Sequence, residues 1–412
     1  MLEGFYEIPP TAGLELRWRD FTQRGGASLE SAAAAFLGVD SLQLTCSGTA
    51  ALVVALMTLK RESRRSTVVI PAYTCPLVPI AITYCGLKIS LCDLSAGTLD
   101  LDQAELARLC DDDTLAVIPT HLAGRLTDVA SILRIAHAAG ARVIEDAAQA
   151  FGARRGNAAV GTEGDIGLFS LAVGKGLTLY EGGFLHARDD ALRKSLRATC
   201  DQMIRADLGL EIMRCAQLVG YRAFYNPRGL YWLYGHPLRA ALQREDTIAA
   251  AGDRFSLMIP LHRVGNWRQS IGHSALMRLD GFLEATRKSG QARAAELRAI
   301  PGVTVFDDHG IDRGVWPSLF VTMPDQHARD AVLAALWARG CGLGRLFSDA
   351  LPDYGYIQPV LPKVAVPNAR DIARRSLTVT NSRWLTQTHM NIIIDVMAAA
   401  VYAGRDSNSP AA

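Results

Sequence analysis

Between residues 66 and 187, short apolar runs alternate with longer stretches in which apolar side chains recur at helical spacing. That rhythm predicts strands at 67–70, 88–92, 115–119, 141–144, 166–171 and 184–187. Helices fall between them, at about 77–84, 102–111 and 128–140, and another follows at 189–203. Upstream, 28–39 reads as a short helix with Ser28 at its N-cap, and 41–45 as a brief strand. A turn of small residues, Ser47-Gly48-Thr49, then opens a strongly apolar helix over 50–60. Strands alternating with helices at this interval imply right-handed βαβ units and a mostly parallel sheet covered on both faces. The expected fold class is α/β.

The rhythm changes after residue 203. Residues 208–258 mix arginine with many aromatics around Pro227 and Gly229. The preferred reading is an extra helical hairpin packed on a subunit or domain surface, ahead of a lid over substrate or a surface resting on a membrane. A long charged helix over 270–299 suits a link between domains. Beyond 301, separated strands (303–306, 318–323) and helices (326–339, 368–375, 387–402) predict a smaller α+β domain. The expected division is a large domain over 1–260, then a linking helix and small domain over 261–412. The first 30 residues read as irregular, punctuated by Pro9, Pro10 and the Gly25-Gly26 pair, and 406–412 as a polar tail.

Composition changes this picture little. Of 412 residues, 49% are hydrophobic and 20% charged, which is ordinary for a globular enzyme. A net charge of +2 gives no argument for nucleic acid or an anionic surface as partner. No apolar run reaches the roughly 20 residues needed to span a bilayer, and the first residues lack a basic stretch followed by an apolar one. The eight cysteines show no C-x-x-C spacing, so reduced core thiols, a cytoplasmic location and no metal are expected.

The candidate chemistry sits at strand ends. Glu145 and Asp146 close the strand that starts at 141, and Lys175 stands among glycines just past the strand that starts at 166. Open α/β sheets bind ligands beyond the carboxyl ends of their strands. A lysine and an acid so placed suit pyridoxal phosphate chemistry: the amine binds the aldehyde covalently, and an Asp keeps the pyridine nitrogen protonated. Plainer readings exist for each piece. The two acids can cap the next helix, Lys175 can be an exposed loop lysine, and Ser47-Gly48-Thr49 can be an ordinary cap.

Taken together, the segments SGTAAL (47–52), IPAYT (70–74), IPTHLAG (118–124), VIEDAAQA (143–150), VGTEGDIGLFS (160–170), GKGL (174–177) and EGG (181–183) favour the first reading. In this order they resemble the DegT/DnrJ/StrS-type family of pyridoxal-phosphate-dependent sugar aminotransferases, which have the aspartate-aminotransferase (type I) fold. The resemblance implies that Lys175 holds the cofactor covalently and shuttles the proton. Asp146 would pair with the ring nitrogen and Gln149 would reach the phenolic oxygen. Ser170, the backbone of Gly48, Thr49 and Ala50, and the Thr49 hydroxyl would hold the phosphate. The segment VGNWRQS (264–270) implies that Asn266 completes the phosphate site of a partner subunit, making the active unit a homodimer. His121 lies near the site in this pattern, with a structural role as good a reading.

The chain also departs from the family. Cys75 stands where an aromatic commonly stacks on the cofactor ring, so stacking is lost or supplied by Tyr73. Tyr180 replaces the first glycine of the G-E-G-G run. The stretch Trp316 to Phe320 lacks the family's histidine, and 342–357 lacks its usual sugar-nucleotide signals. The expected activity is transfer of an amino group from glutamate to a keto sugar, nucleotide-linked, in ping-pong order. The alternatives are a non-sugar substrate, a lyase or dehydratase of the same fold, or a pyridoxal-phosphate-binding regulator without catalysis.

Overall fold

A computed structural model describes residues 5–23 and 28–407. The Gly25-Gly26 pair and the end of the polar tail lie outside the described residues. The core is a seven-stranded sheet in the order Gln43–Thr45, Gly183–Ala187, Ile166–Ser170, Arg142–Asp146, Thr114–Val117, Thr67–Pro71, Lys88–Cys92. Neighbours from Ile166–Ser170 to Lys88–Cys92 pair in parallel, and Gly183–Ala187 alone runs against the rest. The mostly parallel α/β sheet read from the sequence is therefore present. Strands 166–170 and 183–187 are buried along their whole length, which is why they appear in the sequence as largely apolar runs, the second interrupted by buried His186.

Helices cover both faces and begin where the sequence placed their caps. The Ser28 hydroxyl accepts the Ser31 N–H at 3.1 Å, and Gly38 closes that helix in the left-handed conformation (φ 76°). Helix Gly48–Glu62 is capped by Ser47 and nearly all its first three turns are buried. One sheet edge thus collects Thr45, Asp146 and Ser170, with Gly183 paired to both Thr45 and Ser170. At Gly183 a Cβ would lie 2.6 Å from the Ser47 carbonyl carbon, so only glycine lets the helix start there.

A second sheet, in the order Thr304–Val305, Ser318–Thr322, Ser376–Thr380, Leu343–Gly344, is wholly antiparallel. It packs Leu319, Val321, Leu377 and Val379 against Val332, Leu336, Ile393 and Met397. The single helix expected over 270–299 is two, Asn266–Leu276 and Leu279–Arg298. Arg278 breaks it: its guanidinium reaches back to both carboxylate oxygens of buried Asp20, at 2.8 and 2.9 Å, and to the Glu15 carbonyl at 3.0 Å. No helix among the described residues is long and apolar enough to cross a membrane.

The segment 208–258 folds as Leu208–Phe224, Pro227–Leu230, a π-helical turn Tyr231–Gly235, His236–Gln243 and Thr247–Ala251. One face of its first helix, with Leu230, Leu233, Tyr234 and residues 250–258 in part, walls the main cavity. The segment's other side leaves Leu208, Ile212, Met213 and Trp232 exposed.

Candidate functional site

Strand Arg142–Asp146 ends in two acids whose side chains point to opposite faces, as alternation requires. Glu145 turns away from the cavity and anchors the loop before the next strand. Its Oε1 accepts the Gly161 N–H at 2.6 Å, and its Oε2 accepts those of Glu163 and Gly164 at 2.9 Å each. His121 Nε2 completes the set, 2.9 Å from Oε1, while its Nδ1 accepts the Thr127 N–H at 3.1 Å. That bond leaves the proton on Nε2, and His121 is structural. Burial alone would push the Glu145 pKa up; His121 and the loop N–H groups outweigh it and leave it lowered. Its stabilising contribution is therefore present above the ordinary carboxylate pKa and is lost as pH falls through the lowered one. Glu145→Gln would aim an amide at backbone donors and should cost about 3 kcal/mol of stability. Urea unfolding measures this, and a loss below about 0.5 kcal/mol would contradict the anchor role.

Asp146 faces the cavity and is 4% exposed. Its Oδ1 accepts the Ala148 N–H at 2.9 Å. Burial raises its pKa, opposed by that hydrogen bond and by the nearby Lys175. Lys175 lines the same cavity from the loop after strand Ile166–Ser170. Burial lowers its pKa, opposed by Cys75 and Asp146. Cys75 is on this wall too, its thiol pushed up to about 12 by burial, so it stays protonated near neutrality. Lysine, acid and thiol thus share one field at the strand ends.

Ser47, Gly48, Thr49 and Ser170 line the cavity beside them. The Ser47 hydroxyl accepts the Ala50 N–H at 3.0 Å, so that donor is already used, and Ala50 is fully buried behind the wall. The N–H groups of Gly48 and Thr49, in the helix's first turn, have no acceptor within the helix. A Cβ on Gly48 would approach the Ser170 Cβ to 3.0 Å and narrow this cradle. Gln149 lines the cavity with its Oε1 held by the Ala123 N–H at 2.7 Å, which directs its NH2 group elsewhere.

Besides Ala50, two more expected residues stand outside the cavity. Tyr73 is fully buried, its ring edge-on to Phe347 at 5.5 Å and its hydroxyl 3.5 Å from the Phe347 carbonyl oxygen. The C-terminal segment draws it inward, and it does not take the stacking place left by Cys75. Asn266 is exposed on the first turn of its helix and does not line its own chain's cavity. Nearby Arg268 is buried and clamps Glu211 at 2.9 and 2.6 Å and the Leu179 and Glu181 carbonyls at 3.2 and 2.7 Å.

The cavity measures about 1390 Å³. Sequence reading missed two of its walls: the strap of Pro9, Pro10, Thr11 and Ala12, and the strip Arg214, Gln217, Tyr221, Phe224. The strip's spacing of three, four and three residues was the available signal.

Comparison with known proteins follows this geometry. Curated relatives include GDP-perosamine synthase of Caulobacter vibrioides, 33% identical over 184 residues, which are 45% of this chain and 49% of that protein. UDP-N-acetyl-3-dehydro-alpha-D-glucosamine 3-aminotransferase of Acidithiobacillus ferrooxidans is 34% identical over 173 residues, 42% of this chain and 47% of that one. The chain thus spans about half the length of these relatives. The solved structure of DesI with its TDP-sugar product superimposes with a TM-score of 0.76 at 19% identity, covering 99% of this chain and 96% of that one, a likeness of fold. Residues 20–217 and 262–398 match the family described as DegT/DnrJ/EryC1/StrS aminotransferases, and the unmatched stretch between them falls almost wholly within the aromatic insertion. By that match the chain belongs to the DegT/DnrJ/EryC1/StrS aminotransferase family, whose members work with pyridoxal 5'-phosphate.

Proposed function

We propose that this chain is an aminotransferase that takes an amino group from glutamate and delivers it to a keto group of a nucleotide-linked sugar, in two ping-pong half-reactions. The observation that carries the reading is the meeting of Lys175 and Asp146 in one cavity, beside the donor cradle at Gly48, Thr49 and Ser170. The residues fit pyridoxal 5'-phosphate. The cradle offers N–H and hydroxyl donors with no carboxylate, and a side chain at Gly48 would narrow it. When bound, this group supplies an aldehyde for amines and a ring that draws electrons from the adjoining carbon.

The chain's own residues do the rest. Lys175, its pKa lowered by burial, is available as a neutral amine to attack the aldehyde and then to carry a proton at Nζ. Asp146, a buried carboxylate at the cavity wall, would hold the proton on the ring nitrogen. Gln149, its oxygen already engaged by the Ala123 N–H, would offer its NH2 group to the phenolic oxygen. The first turn of helix Gly48–Glu62 and the Ser170 hydroxyl would hold the phosphate, and the helix dipole favours the anion.

Asn266, exposed and outside its own cavity, serves the partner's phosphate site in a homodimer. Eight unpaired cysteines support a reducing compartment, and the cytoplasm is our assignment. Mixing Lys175→Ala and Asn266→Ala subunits, each impaired alone, should restore about a quarter to a half of the activity, read as turnover after subunit exchange. No recovery after demonstrated exchange would contradict the shared site. Adding glutamate to the yellow protein should bleach its visible band. A band indifferent to glutamate but lost with another amino acid would change the donor.

A further inference from the structure

We infer that the inner face of helix Leu208–Phe224 is the docking wall for the planar base of the nucleotide-linked acceptor, an assignment that rests on the function proposed above. Arg214, Gln217, Tyr221 and Phe224 line the cavity from one helical face. From Arg214 to Phe224 the strip runs about 15 Å along the cavity. Gly220 belongs to the same strip, and a Cβ built on it meets nothing within 4 Å, so the cavity has open room there.

The wall is fastened to the lysine loop. Arg214 Nε lies 2.7 Å from Glu181 Oε2, and Arg268 ties Glu211 of this helix to the Leu179 and Glu181 carbonyls. These bonds also fix its chemistry. Glu181 offsets the Arg214 charge, and Arg214 Nη1 donates to Gln217 Oε1 at 2.7 Å. What remains for a ligand is the Gln217 NH2 group and the Phe224 ring, with no unopposed charge, the Tyr221 phenol being engaged by Tyr225. That set suits a flat, neutral, hydrogen-bonding ring and not a diphosphate. Phe224 is 51% exposed at the cavity wall, apolar surface that a stacked base would cover. Stacking depends weakly on which base is present, so discrimination among bases should be modest. The part of the wall from Leu218 to Phe224, with Gly220, Tyr221 and Phe224, lies outside the family match, while Arg214 and Gln217 lie inside it.

The test is calorimetric titration of GDP, UDP and dTDP into the cofactor-loaded protein, with inorganic pyrophosphate as a control for the charged part. The visible band of the bound cofactor reports folding in each variant. At least one nucleotide should bind, Phe224→Ala should weaken it roughly tenfold, and Gly220→Leu should abolish binding by filling the open room. Leucine is a better helix former than glycine, so that variant should fold. Pyrophosphate affinity should be the same in all three proteins. Absence of nucleotide binding to the unmodified protein, or equal binding by the variants, would overturn the assignment. Failure of the aminotransferase reading shows separately, as a visible band that no amino donor changes.

Discussion

Lys175→Ala should purify with no covalently held cofactor and with turnover reduced at least 10³-fold, about the contribution of a positioned proton carrier and nucleophile. Among the described residues lining the cavity it is the single lysine, and the two arginines there, Arg214 and Arg345, cannot replace a neutral amine. The fold should survive. The loop is held by backbone bonds the substitution leaves alone: Lys175 N–H to the Ala172 carbonyl at 3.2 Å, and Leu14 N–H to the Gly176 carbonyl at 2.9 Å. Circular dichroism and urea unfolding should match the unmodified protein within about 1 kcal/mol. A variant that still yields a reducible covalent adduct would show that another amine does the work.

Asp146→Asn should lower turnover about 10²- to 10⁴-fold with little change of fold. The amide oxygen can keep the bond from the Ala148 N–H, so the lost feature is the anion. Its loss also acts on Lys175. Asp146 raises the lysine's pKa against the lowering by burial, so removing the charge should drop that pKa further. The neutral amine would then persist to lower pH, and in the cofactor-free protein the rate of Lys175 acylation should move its midpoint downward. Turnover within threefold of the unmodified protein, or a midpoint moved upward, would mean that Asp146 is not the ring-nitrogen partner.

The sheet and the centre of the site were legible because both are written locally. Strands buried on two faces are largely apolar runs, Ser28 and Gly38 mark helix ends by their backbone preferences, and Asp146 and Lys175 stand next to strand ends that periodicity locates. What escaped depends on partners distant in sequence. Arg278 breaks a helix because Asp20, over 250 residues earlier, draws its side chain back. Tyr73 turns inward against Phe347, from the distant C-terminal segment, while Cys75 lines the cavity. Glu145 and Asp146 carry the same charge, and only the loop 161–164 and His121 determine that one is an anchor and the other faces the cavity. The aromatic insertion has helical spacing, but periodicity gives a face and not what that face meets.

The most direct test of the account is borohydride reduction of the yellow protein followed by peptide mass mapping. The account predicts the reduced pyridoxal adduct on the peptide containing Lys175, with none recovered when glutamate is added before the reductant. An adduct on any other lysine, or a protein that binds no pyridoxal phosphate, would contradict it.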